Sequence, residues 1–120
     1  MEWTEAGVDG AWRYINRLWR LITETPVMPI GTAVPATLTP AAQAALKQIH
    51  KSIQQVGADY EQFRINRGIA RIRELSNTLE ALKPEDEGAR AVLREGFEAL
   101  VRLFNPIMPH LAEELWQRLG

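Results

Sequence analysis

The C-terminal stretch Asn105 to Gly120, NPIMPHLAEELWQRLG, contains two prolines followed by a short segment with helical periodicity. Pro106 and Pro109 each disfavour the α conformation in the residue before them, so one helix is predicted to end near Phe104 and another to begin at Pro109. Apolar residues of this last segment recur every three or four positions, at Leu111, Ala112, Leu115, Trp116 and Leu119. This spacing predicts a short terminal helix whose apolar stripe packs on an existing core.

His110, Glu113 and Glu114 lie away from that stripe, at a spacing that could place three metal ligands on one helical face. No cysteine or second histidine lies near them in the sequence to complete a tetrahedral site. Carboxylates in the first turns of a helix also complement its dipole, and this is the favoured interpretation. We therefore predict neither a metal site nor a catalytic residue here.

Length and composition limit the possible classes of protein. A chain of 120 residues is long enough for one domain, 1–120, with a single core. Net charge is −1, and cysteine is absent, so disulfides and thiolate metal sites are excluded. No apolar run approaches the ~18 residues of a membrane span, and the acidic start MEWTEAGVDG is unlike a signal peptide. A soluble, cytoplasmic protein is expected.

The first helix is predicted from about residue 5 to 24. Thr4 is a suitable N-cap, Trp3 could pack on Val8, and Thr25-Pro26 would end the helix. The apolar positions follow helical spacing at Val8, Ala11, Trp12, Ile15, Leu18, Trp19 and Ile22.

Arg13, Arg17 and Arg20 form a stripe along this helix because they are separated by four and three residues. The stripe is predicted to lie opposite Trp12 and the other apolar residues. One interpretation is an ordinary solvated face. The other is a ridge that contacts phosphates, because guanidinium groups bind phosphate oxygens in a fork.

A proline-rich connection without secondary structure is predicted from 25 to 40, ended by Thr39 as N-cap and Pro40. The second helix is predicted to continue through Gly57. Its apolar face comprises Ala42, Ala45, Leu46, Ile49, Ile53, Val56, Tyr60 and Phe63. Lys47 and Lys51 lie four apart on the opposite face, where solvated lysines are common.

Two further helices complete an all-α bundle of four main helices and the short terminal one. The third is predicted to begin with Asn66 as N-cap and to stop at Lys83-Pro84. The acidic residues Glu85, Asp86 and Glu87 lie at the start of the fourth, where the positive end of a helix favours acids. No alternating period-2 segment predicts a strand.

The terminal segment resembles the P-x-x-P-[HF]-x-x-E-E-L-W segment of the helical anticodon-binding domain in class I aminoacyl-tRNA synthetases for leucine, valine and isoleucine. His110 after Pro109 favours the leucyl branch, of bacterial or organellar type. The first helix, GVDGAWRYINRLWRLI, is similar to the first helix of this domain in leucyl enzymes and matches at Arg13, Arg17 and Arg20.

Two more segments resemble the family in the same order along the chain. His50-Lys51-Ser52-Ile53 is similar to its H-K-[ST]-I core, and FRINRGIARIREL is similar to F-x-F-N-t-A-I-A-x-[ilm]-x-E-L. The chain departs from this pattern at Arg67-Gly68, where the family has a pair of small residues. The resemblance extends over almost the whole chain.

The resemblance implies a tRNA-binding fragment of a leucyl enzyme, a class that joins leucine to its tRNA with ATP and Mg²⁺. It implies tRNA contacts by Arg13, Arg17, Arg20, Lys47 and Lys51, mostly with the RNA backbone. Catalytic and editing domains of the same chain would be its neighbours, in a monomeric enzyme. No catalytic motif is present in this segment. The alternatives are the equivalent valyl or isoleucyl domain and a helical protein-interaction module.

Overall fold

The computed structural model describes residues 5–29 and 31–119, with side chains except those of residues 5–9 and 11. The described residues form five α-helices and no strand, as the sequence predicts. The helices are α1 (Glu5–Glu24), α2 (Pro40–Glu61), α3 (Ile65–Ala81), α4 (Glu87–Phe104) and α5 (Pro109–Leu119). The Thr4 cap and the packing of Trp3 on Val8 lie outside the described residues.

The helices pack around one apolar core. Helices α2, α3 and α4 contact one another, while α5 packs between α4 and α1. Helix α4 is buried along most of its length. Among the largest fully buried side chains of the core are Leu93 and Phe97 of α4 and Leu115 of α5. The apolar stripe predicted for the terminal helix is thus confirmed at Leu115, with Ala112 and Leu119 also buried.

Two predicted helix starts are confirmed by their caps. The Thr39 hydroxyl accepts a hydrogen bond from the amide of Ala42 at 3.2 Å, and Pro40 occupies the first turn. The Asp86 carboxylate accepts one from the amide of Ala89 at 2.7 Å. Each side chain satisfies an amide that the first turn of a helix leaves without a partner.

The described part of the 25–39 connection is irregular, as predicted, and runs over α4. The amide of Met28 donates to the carbonyl of Arg90 at 3.5 Å. A turn follows in which the amide of Thr32 donates to Pro29, with Gly31 at φ 82°. Glycine suits this position because it has no Cβ to clash in the left-handed region.

The predicted start of α3 is wrong by two residues. Asn66 is not its N-cap, because the amide of Gly68 already donates to the carbonyl of Arg64 at 3.1 Å. Arg64 therefore occupies the N-cap position and makes no side-chain cap.

The apolar face predicted for α2 is wrong at Ile53 and Phe63, which are both exposed. Helix α2 ends at Glu61, and Phe63 adopts φ 58° in the turn beyond it, with 90% of the residue exposed. The helical phase that placed Phe63 in the core does not continue past the end of the helix. Gly57 lies inside the helix, as predicted.

No helix in the described ranges is long and apolar enough to cross a membrane.

Candidate nucleic-acid interface

Arg13, Arg17 and Arg20 line one open groove of about 830 Å³ between α1 and the C-terminal end of α3. The sequence predicted that the three arginines share a helical face, and the structure confirms this. The opposite wall is formed by the segment from Leu79 to Pro84, which includes Glu80 and Lys83. The groove thus combines two segments that are distant in sequence.

The groove is more basic than the chain as a whole. The groove is lined by four basic side chains and only two carboxylates. The basic side chains are those of Arg13, Arg17, Arg20 and Lys83, and the carboxylates are those of Glu24 and Glu80. The whole chain has a net charge of −1. A local excess of positive charge in a concave surface attracts anions.

Arg17 is the one arginine of the stripe with an ion-pair partner among the described side chains. Its guanidinium lies 2.5 Å from the Glu80 carboxylate, and its Nε donates to the same oxygen at 2.8 Å. The two side chains are 57% and 44% exposed. Because water and salt screen such a pair, its net contribution to stability is about 0–1 kcal/mol. Arg17 can therefore exchange this carboxylate for a phosphate at small cost.

Arg13 and Arg20 have no ion-pair partner among the side chains that the structure describes, and both are exposed. Their charges are consequently not neutralised within the described part of the fold. Guanidinium groups in this state can bind phosphate oxygens without first giving up a protein partner.

The groove-facing helix is held by contacts of Tyr14. Its hydroxyl donates to Ser76 Oγ at 3.2 Å, and the Arg73 guanidinium lies 4.8 Å from its ring centroid. Burial raises the pKa of Tyr14 above its ordinary value, although the hydrogen bond to Ser76 acts in the opposite direction. The neutral phenol therefore remains a donor that links α1 to α3.

The prediction that the arginine stripe lies opposite Trp12 is wrong. Trp12 is 65% exposed and lines the same groove as Arg13 and Arg17. The buried face of α1 is narrower than the apolar pattern suggested, with Leu18 and Ile22 buried and Ile15 and Trp19 partly so. Periodicity alone did not show where this face ends.

Lys47 and Lys51 are exposed on α2, as the sequence predicted, but neither lines the groove. Lys83 does line it, although the sequence marked Lys83 only as part of a helix stop. No sequence signal could have identified Lys83, because its position relative to α1 depends on how α3 packs.

No group of three or more histidine, cysteine, aspartate or glutamate side chains suited to a metal ion occurs within the described residues. His110 is exposed on α5.

Comparisons with known proteins place these features in a family. The model of the anticodon-binding domain of tRNA ligase matches residues 42–120. Over its full length the chain is 52% identical to a leucine–tRNA ligase of Paramagnetospirillum magneticum and, aligned over 122 residues, 45% identical to that of Rhodospirillum rubrum. It spans 14% of the length of each of these relatives.

A solved structure shows the same architecture. The crystal structure of a ternary LeuRS–tRNA–LeuAMS complex from Agrobacterium radiobacter contains a region similar to the whole chain, with a TM-score of 0.80 and 27% identity. This region is 16% of that protein chain. The fold and the sequence matches agree, and the chain belongs to the family of anticodon-binding domains of tRNA ligases.

Proposed function

We propose that this chain is the tRNA-binding helical domain of a leucine–tRNA ligase and that its groove contacts the phosphate backbone of leucine tRNA. The observation that carries the proposal is the convergence of Arg13, Arg17, Arg20 and Lys83 on one groove. Cations spaced along one surface bind successive phosphates and release counterions. The similar leucine–tRNA ligases support leucine over valine or isoleucine as the amino acid. Family membership argues against a general protein-interaction module.

The complete ligase would join leucine to its tRNA with ATP and Mg²⁺, in a catalytic domain of the same cytoplasmic, monomeric chain. The described residues offer no group of side chains suited to hold the metal ion. This segment would support the tRNA while catalytic and editing domains act on the amino acid. Its residues would therefore affect tRNA affinity and not the activation of leucine.

Lys47 and Lys51 remain proposed contacts on a second surface. They do not line the groove, so an RNA that meets both surfaces must extend beyond it. The double change Lys47→Ala and Lys51→Ala tests this second surface separately.

The groove is tested by the double change Arg13→Ala and Arg17→Ala in the complete ligase. We expect weaker binding of leucine tRNA at low salt and a decrease of roughly two in the slope of log affinity against log salt, because two phosphates lose their partners. Leucine-dependent pyrophosphate exchange should stay unchanged. Equilibrium binding measured over a series of salt concentrations gives both the tRNA affinity and its salt slope.

The matched control is Arg64→Ala with Arg67→Ala, which removes the same charge from exposed residues outside the groove. A much smaller effect of the control would locate binding to the groove. Equal losses in the two double variants would indicate a general charge effect. Unchanged affinity in a folded Arg13/Arg17 variant would contradict the proposal.

A further inference from the structure

Trp12 differs from the other tryptophans that the structure describes. Trp19 and Trp116 are partly buried, and the guanidinium groups of Arg118 and Arg102 lie 5.6 and 5.4 Å from their ring centroids. Trp12 is 65% exposed, and no described aromatic ring or guanidinium packs on its indole. Most of the Trp12 residue is therefore accessible to a partner from outside the described part of the bundle.

The surroundings of Trp12 identify the chemistry of that partner. The indole lines the groove that also presents Arg13, Arg17 and Arg20. An excess of cations selects a polyanion, and an aromatic face beside those cations suits a flat apolar group attached to the polyanion. Nucleic acid with an unstacked base combines these two properties. A continuous RNA duplex offers phosphates but keeps its base faces stacked.

The helix backbone holds Trp12 in this position. The side-chain amide of Asn16, one turn further along α1, donates to the backbone carbonyl of Trp12 at 3.0 Å; this bond holds the main chain and leaves the indole free of it. Trp12 and the three arginines all belong to α1, so the helix geometry fixes the relative positions of their Cα atoms. The indole and the guanidinium groups line one groove, so a nucleotide bound there can meet an arginine with its phosphate and Trp12 with its base.

We infer that Trp12 is a stacking platform for an unpaired base of the tRNA whose phosphates bind Arg13 and Arg17. The inference rests on the proposed function and adds an element of recognition to it. The arginines provide affinity for any RNA backbone, whereas Trp12 discriminates between an unstacked nucleotide and a regular duplex. The subsite requires no particular base, because every base has a π face.

The test compares Trp12→Ala and Trp12→Phe in the complete ligase. Trp12→Ala should weaken binding of a leucine tRNA transcript by about 5- to 150-fold, the range expected for loss of one stacked base. Trp12→Phe should keep most of the affinity because phenylalanine retains an aromatic face. Neither variant should change the salt slope, since no charge is removed. The Arg13→Ala and Arg17→Ala variant should lower that slope.

Two controls sharpen the test. Phe63→Ala removes an aromatic residue that is 90% exposed but lies outside the groove, and it should leave tRNA affinity unchanged. A fully paired RNA duplex with the same number of phosphates should bind the wild-type ligase and the Trp12→Ala variant equally well. Circular dichroism should show the same helical content for each variant, because Trp12 is outside the core.

Three results would overturn the inference. The first is unchanged tRNA affinity in Trp12→Ala while the arginine variant loses binding, which would leave the proposed function intact. The second is an equal loss for tRNA and duplex. The third is a Trp12→Ala ligase that is less stable but binds tRNA normally, which would assign Trp12 to a contact with another domain.

Discussion

Arginine has opposite roles in the contact between α4 and the end of α5 and in the α1 groove. The Arg94 side chain is 5% exposed, and its Nη1 donates to the carbonyl of Leu119 at 2.5 Å while its Nε donates to Glu98 at 3.2 Å. Arg13 and Arg20 are exposed, without an ion-pair partner among the described side chains. One arginine joins two helices, and the others leave their charge available to a ligand. Burial and partners, not residue type, separate the two roles.

The comparison predicts that the contact between α4 and α5 determines stability and that the groove determines the proposed tRNA binding. The largest effect is expected for Leu115→Ala, because Leu115 is fully buried where α5 meets the core. Unfolding by denaturant should show a loss of about 2–5 kcal/mol. Glu113→Ala on the exposed side of the same helix should cost far less. No loss in Leu115→Ala would mean that α5 is not part of the core.

Arg94→Ala should lower the free energy of unfolding by about 3 kcal/mol. This is the lower end of the usual cost of removing one partner from a buried ion pair. The lower end applies because the Glu98 side chain keeps 23% exposure and can be hydrated after the change. Arg102→Ala, on the same helix but exposed over Trp116, is the matched control and should cost about 0.5–1 kcal/mol. Similar denaturation midpoints for the two variants would contradict the difference in stability between the buried α4–α5 contact and the surface.

The smallest effect on stability is expected at the groove itself. Arg17→Ala should change the free energy of unfolding by less than about 1 kcal/mol, because its pair with Glu80 is solvent-exposed. A double-mutant cycle with Glu80→Ala, measured at low and high salt, gives the coupling free energy between Arg17 and Glu80. A coupling well above 1 kcal/mol that persists at high salt would make Arg17 a structural residue.

Helix boundaries were predictable where local chemistry determines them. Pro109 begins α5, and Thr39 and Asp86 cap α2 and α4. Each boundary depends on one or two adjacent residues, so the sequence contains the information. The prediction of Asn66 as the N-cap of α3 was wrong, because the carbonyl of Arg64 accepts the first hydrogen bond of the helix two residues earlier.

The candidate site was only partly predictable, because it depends on packing between helices. The stripe of Arg13, Arg17 and Arg20 follows from spacing within one helix. Lys83 joins it through the position of α3, and Trp12 was assigned to the wrong side of α1. An apolar residue at the edge of an amphipathic stripe is buried only if a neighbouring helix covers it, and spacing does not specify that neighbour.

Helix α1 is attached to the core by fewer buried side chains than α4, and this is expected to affect how fast the groove changes shape. Of its described side chains, only Leu18 and Ile22 are fully part of the core, whereas α4 is buried along most of its length. Segments with few buried apolar contacts open locally at a lower free energy than the whole fold. We therefore expect the two walls of the groove to change their separation in local fluctuations that leave the α2–α4 core closed. Hydrogen exchange is then expected to be slow in that core and faster in α1.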